Sequence, residues 1–198
     1  SLLVNTTRCP NRTVVESYIT NEKHDYEQKY ITDNSFPYWL IYRNKEFDDI
    51  ASKMRLGVFR SFRDRSITKK DTCVTGKIRV LKSRNIASNT IVSINGYDCY
   101  IDSVNNLAVG DYLNKSNCVL VPNLTYYPRA CFLPKNSICD GSVAILETKD
   151  DGVVVSEKDL AYYGTKEFSD FYRIARNRGT RSLNIDNNSV FFFGLLKK

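Results

Sequence analysis

Six cysteines, one histidine and two adjacent carboxylate pairs are the side chains through which this 198-residue chain could do chemistry. The cysteines stand at Cys9, Cys73, Cys99, Cys118, Cys131 and Cys139, and no two form a C-x-x-C. Structural zinc sites draw on close pairs of cysteine or histidine, so this spacing speaks against one and no metal is expected. An even number of irregularly spaced cysteines fits three disulfides, which belong to an oxidising compartment. The alternative is a set of buried thiols, because an unpaired cysteine packs as a small apolar residue. Connectivity is not readable from spacing. A local Cys131–Cys139 bridge is the weakly preferred pairing, and a Cys9–Cys73 bridge would close the longer loop.

His24 is the sole imidazole. A Ser or Cys hydrolase needs a base beside its nucleophile, which makes His24 the one candidate base for a secreted hydrolase or nuclease. No spacing singles out a nucleophile for it, and its polar surroundings suit an ordinary exposed histidine. Asp48-Asp49 suits the first turn of a helix, where carboxylates meet the positive end of the dipole. Asp150-Asp151 suits a turn. No P-loop, G-x-G-x-x-G, H-E-x-x-H or G-x-S-x-G occurs, so no nucleotide, metal or other cofactor is expected.

The elements that would position these groups read as an α+β fold. We expect a mostly antiparallel, disulfide-stabilised sheet with two or three helices in a single domain, residues 1–198. Residues 1–15 read as an extended arm, and Thr20-Asn21-Glu22 could cap a short polar helix carrying His24. The aromatic run Phe36–Tyr42 has strand propensity and reads as a core strand. The spacing of Phe47, Ile50, Ala51, Met54, Val58 and Phe62 predicts a basic amphipathic helix over 45–65, with Gly57 able to kink it or end it early.

Residues 73–155 read as the β-rich core. Asn95-Gly96 between Ile91–Ile94 and Tyr97–Ile101 predicts a type I′ hairpin. A second hairpin is expected from Ser142–Leu146 through Asp151-Gly152 to Val153–Val155. Cys118–Pro122 reads as an edge strand because proline cannot donate to a ladder. Pro128 and Pro134 place Cys131 in a loop. Residues 156–198 read as helix plus terminal strand. Ser156 to Asp159 resembles a capping box, with a short turn to Gly164. Thr165 caps a helix over 166–177 whose apolar face is Phe168, Phe171, Tyr172 and Ala175, and Gly179 is its C-terminal cap. Val190–Leu196 reads as a buried final strand.

Composition bounds the setting. With 42% hydrophobic residues the chain can bury a core. No apolar run reaches about 18 residues, so no bilayer-spanning helix is expected in this chain. An ectodomain follows as the expectation, extracellular or on a virion surface, with any signal or anchor lying outside this stretch. Five N-x-Ser/Thr sequons, at Asn5, Asn11, Asn114, Asn123 and Asn187, are candidate glycosylation sites. The net charge is +7. Its basic residues concentrate over 53–84, where Arg60, Arg63, Arg65, Lys69 and Lys70 could meet an anionic surface or polyanion. Phe59 and Phe62 among those arginines could stack bases. An oxidised extracellular setting argues against nucleic acid as the partner.

One stretch resembles a known family. Cys131 and Cys139, then Ser142-Val143 and Ile145-Leu146, then Asp159 and Tyr162-Tyr163-Gly164-Thr165, are similar to a segment of the per os infectivity factors of baculoviruses and related insect viruses. Where that family often carries Trp-x-Cys on a returning strand, this chain has Val153-Val154-Val155. The resemblance covers about 35 residues. It implies a virion-envelope ectodomain that assembles with partner factors and helps the virion enter gut cells, with no enzymatic activity. Cys131 and Cys139 carry over only as structural cysteines. The expected function is therefore a non-enzymatic viral or secreted envelope ectodomain acting in attachment through contacts with other envelope or host-surface proteins. The hydrolase or nuclease built on His24 and the polyanion binder built on 53–84 stand as alternatives.

Overall fold

A computed structural model describes residues 11–17, 21–179 and 183–197. The described chain opens with strands β1 (Arg12–Ser17) and β2 (Glu22–Glu27), which pair antiparallel as a hairpin. Helices α1 (Gln28–Ile31) and α2 (Lys45–Ser52) follow, then β3 (Met54–Arg55), β4 (Phe59–Phe62) and β5 (Ile78–Leu81). Next come β6 (Ile86–Ala87), β7 (Thr90–Ile91), β8 (Cys99–Ile101), β9 (Val119–Pro122) and β10 (Leu124–Thr125). Strands β11 (Cys131–Phe132), β12 (Ser137–Cys139) and β13 (Val143–Thr148) lead into helices α3 (Glu157–Tyr163) and α4 (Lys166–Ala175). The described chain closes with β14 (Leu183–Asn184) and β15 (Leu195–Leu196). This is a mixed α+β fold in which every strand pairing but β12 on β5 is antiparallel.

The central sheet has the order β11-β9-β13-β4. Its two inner strands are buried at every position. Runs without polar alternation need cover on both faces, and both are covered. Val119, Val121, Ala144 and Leu146 face a core built with α2, α3 and α4. Leu120, Val143 and Ile145 face a second core built with the three-stranded sheet β12-β5-β8.

The first core is aromatic. Phe47 of α2 stacks on Phe171 of α4 with ring centroids 4.7 Å apart, and Phe168, Tyr163 and Phe193 close around them. All four predicted apolar positions of α4 are buried. Thr165 accepts a hydrogen bond from the Phe168 N–H, and Ser156 and Asp159 form the reciprocal capping box of α3. These short-range signals act as expected. The expected turn before Gly164 is a seven-residue helix.

The long basic helix does not form. After α2 the chain turns at Gly57, which sits at φ +72° with its Cα side against Phe191; a Cβ there would lie 2.8 Å from that ring. That left-handed conformation favours glycine and releases Phe59–Phe62 to pair with β13. Phe36–Tyr42 is irregular chain, not a strand. Pro37 interrupts it, and Asn177 holds it by accepting from the Ile41 N–H and donating to the Trp39 carbonyl. Leu40 is fully buried while Trp39 is half-exposed.

Both predicted hairpins are replaced. Asn95 has no positive φ, so the turn at Asn95-Gly96 lacks the two left-handed residues of type I′. Asp98 instead accepts from the Ile94 N–H, and β8 pairs with β5. Val153–Val155 forms no strand; the Asn117 side chain takes the Val153 carbonyl and the Val155 N–H. Strand β9 is interior, not an edge. Its Pro122 lies beyond Leu120, the last β9 residue paired with β11, so the missing N–H costs that ladder nothing. Cys131 lies in that short strand rather than in a loop.

Three ends also differ. Asn21 at φ 54° belongs to the hairpin turn, and His24 lies in β2, not on a helix. Helix α4 ends in Asn177 and Arg178, both at positive φ, so they take the role expected of Gly179. Val190–Leu196 is buried as expected over most of its length, but as a 3-10 turn, Ser189–Phe192, followed by the short strand β15.

Candidate interaction surface

The cysteines do not form the expected staples. Cys73, Cys99, Cys118, Cys131 and Cys139 are all free thiols, and no disulfide joins them; Cys9 lies outside the described residues. The preferred Cys131–Cys139 bridge is absent. Cys118, Cys131 and Cys139 are buried together in the second, aliphatic core, where sulfur fills space as a small apolar group. Burial pushes the Cys131 thiol up to about 12 and the Cys139 thiol well above its ordinary value. Burial and, next, the Glu147 carboxylate raise Cys118. Thiols so protonated are poor nucleophiles and poor metal ligands. Among the described residues no cluster of His, Cys, Asp or Glu could hold a metal.

His24 stands on the β1–β2 hairpin with its side chain 45% exposed, 3.7 Å from the Glu22 carboxylate and stacked on Tyr26. No hydroxyl or thiol hydrogen-bonds to it among the described residues. Of the sequons, Asn5 lies outside the described residues, and Asn11, Asn114 and Asn187 are exposed. Asn123 is 7% exposed at the end of the central sheet, so its amide is turned inward. The basic candidates separate. Arg60 is on β4, paired with Glu147 at 2.8 Å. Arg63 and Arg65 follow on the next loop. Lys69 and Lys70 sit on an exposed 3-10 turn.

A different segment gathers features of a contact surface. Leu124, Tyr126 and Tyr127 are 63%, 58% and 69% exposed on consecutive turns of one short loop. This loop is pinned from below. Arg129 donates to the Ile86 carbonyl at 2.6 Å, to Thr125 Oγ1 at 2.7 Å and to the Ser83 carbonyl at 3.1 Å. No carboxylate pairs with it among the described residues, and burial lowers its pKa. Thr125 in turn donates to the Tyr127 carbonyl. From the side, Arg173 of α4 donates to the Tyr126 carbonyl at 2.6 Å and lies over the Tyr127 ring. Strand β14 pairs with β10 and fixes the loop's entrance.

Tyrosine and arginine dominate the energetic centres of protein interfaces. A pinned aromatic loses little conformational entropy on docking. Sequence reasoning missed this site, although its signal was present: an aromatic pair next to Pro128, away from any apolar periodicity.

The residues that carry the family resemblance lie elsewhere. Cys131, Cys139, Val143, Ile145, Leu146, Asp159 and Tyr163 are buried and shape the scaffold, Ser142 and Tyr162 are half-buried, and Gly164 and Thr165 are exposed. The chain matches no family model, and no curated protein matches it. No helix of the described chain is long and apolar enough to cross a membrane.

Proposed function

We propose that this chain is a non-enzymatic ectodomain of a viral or secreted envelope, acting in attachment and helping the virion enter host cells through protein–protein contacts. The observation that carries the reading is the Leu124–Tyr127 loop, with three large apolar side chains exposed on a backbone held by Arg129 and Arg173. The resemblance to the per os infectivity factors supports the envelope setting and points to other envelope proteins or gut-cell surface proteins as partners.

The test is saturable binding of the labelled chain to insect midgut epithelial cells, competed by unlabelled chain. The combined variant Tyr126→Ser, Tyr127→Ser should lower affinity about a hundredfold or more, a loss of about 1.4 kcal/mol or more from each ring. Its fold should be unchanged by circular dichroism. No saturable binding of the parent chain, or equal binding by the variant, would overturn the proposal.

A further inference from the structure

Among the described residues no strand pairs with the outer edge of the central sheet, β4, and its hydrogen-bonding pattern shows which backbone groups it offers. Lys149 donates its N–H to the Val58 carbonyl at 2.8 Å, in line with the register that sets Arg60 opposite Glu147 and Phe62 opposite Ile145. Antiparallel pairs alternate, so Val58, Arg60 and Phe62 direct their backbone groups to β13. Phe59 and Ser61 therefore turn theirs outward. Among the described residues nothing bonds to the Ser61 N–H or carbonyl. The 187–191 segment flanks this edge: Gly57 donates to the Phe191 carbonyl, and Ser61 Oγ donates to Asn187 Oδ1 at 3.4 Å.

Two adjoining cavities of ≈ 460 Å³ and ≈ 480 Å³ run along this edge and share Ser61 and Asn187 as lining. Arg60 and Lys149 line the first, and Arg63 and Arg65 line the second. Arg63, Arg65 and Lys149 have no carboxylate partner among the described residues. The nearby acids are already engaged. Asp186 pairs with Arg176 at 2.9 Å, and Glu147 is shared by Arg60 and Lys115. Asp64 caps the turn at Ser66 and Ile67.

From this geometry we infer that the groove along β4 binds an extended, acidic segment of a partner protein, which pairs with Ser61 as an added strand and sets its carboxylates against Arg63, Arg65 and Lys149. Both halves of the site point to a peptide. The cations call for carboxylates or another polyanion. The open Ser61 carbonyl calls for a donor, and of the polyanions only a peptide backbone carries donors and acceptors in strand register. The strand edge Phe59–Phe62 spans roughly 13 Å, room for about four residues, and the loop that carries Arg63 and Arg65 continues beyond it. The groove adjoins the Leu124–Tyr127 loop through Asn184, which lines the second cavity and pairs with Leu124, but the inference does not rest on that loop.

The probe is a fluorescent, end-blocked peptide, Glu-Val-Asp-Val-Glu-Val, titrated against the full chain by anisotropy. Binding should be saturable below about 1 mM and should shift the Ser61 amide resonance. Methylating alternate backbone nitrogens of the peptide should weaken it about tenfold without touching the protein. The variant Arg63→Glu, Arg65→Glu should weaken it at least as much, whereas Tyr126→Ser, Tyr127→Ser should leave it unchanged. Absence of saturable binding would overturn the inference. So would equal binding of the methylated peptide, or tighter binding of a heparin hexasaccharide or oligothymidylate, since either would make the groove a simple polyanion site.

Discussion

The two faces of the central sheet are packed by different chemistry. On one face, rings fill the space: Phe47, Phe59, Phe168, Phe171, Tyr172, Phe192 and Phe193 are all essentially inaccessible. On the other, the buried side chains are aliphatic or thiol, and Cys118, Cys131 and Cys139 take positions that Val or Ala could hold. The aromatic face is assembled by helices, whose spacing brings large side chains into one stripe. The aliphatic face is assembled by short strands, where β-branched Val and Ile pack well on the pleated surface. The thiol is therefore packing material on one face, while among the described residues the other face buries no cysteine. The same cysteines that suggested an oxidised scaffold serve as core residues.

The largest difference should appear on truncation. Phe168→Ala removes a ring that touches Tyr163, Phe171, Tyr172 and Phe193. It should lose about 3–5 kcal/mol in urea unfolding. Cys139→Ala on the opposite face should lose only about 1 kcal/mol, the worth of one small apolar group. Equal losses would break the comparison.

A finer discrimination comes from Cys139→Ser. It places a hydroxyl where no partner waits and should cost about 1–3 kcal/mol more than Cys139→Ala. Were Cys139 bridged, both substitutions would also lose the bridge and cost about 2–5 kcal/mol more. Thiol labelling without denaturant sharpens the point. Cys73 should react at once, Cys99 more slowly, and Cys118, Cys131 and Cys139 only on unfolding, because these three are buried. Immediate labelling of all five would mean that the aliphatic face is not a closed core.

At the rim of that face lies Glu147, a buried carboxylate held by Arg60 and Lys115. Hydrogen bonding from Arg60, and then from Lys115, holds its carboxyl below the ordinary 4.5 against the opposing effect of burial. A folded value below the unfolded one stabilises fully above about pH 4.5 and loses that stabilisation as pH falls through the folded value. Melting temperature measured from about pH 6 down to about pH 2 should therefore fall less steeply for Glu147→Gln than for the parent. An identical slope would mean that the pair does not couple to folding. Smallest of all, Tyr127→Ala should change stability by less than about 0.5 kcal/mol, because the ring is exposed.

Legibility from sequence followed distance along the chain. Helix α4 was readable because its caps and its apolar stripe lie within ten residues of one another. The helix expected over 45–65 failed although its spacing was as good, since Phe59 is held by a strand more than eighty residues away and Gly57 by Phe191. The Asn95-Gly96 turn failed because Asp98 found Asn85 and Arg79, partners that no local pattern announces. Of the candidate surface, only the composition of Leu124–Tyr127 was visible. That it faces outward depends on Arg129 reaching back to Ile86 and Ser83.

By itself the sequence determined the α+β class, the caps of α3 and α4, the full burial of Phe168, Phe171 and Tyr172, and the absence of the familiar nucleotide and metal motifs. These are properties of neighbours a few residues apart, and short-range hydrogen bonds and periodicity suffice for them. The tertiary structure decided that the five described cysteines are thiols, that β9 is interior, that 53–65 breaks into strands, and that the edge at Ser61 and the tyrosines of one loop face solvent. Each of these depends on which distant segment arrives alongside, and that is settled by burying both faces of one sheet at once.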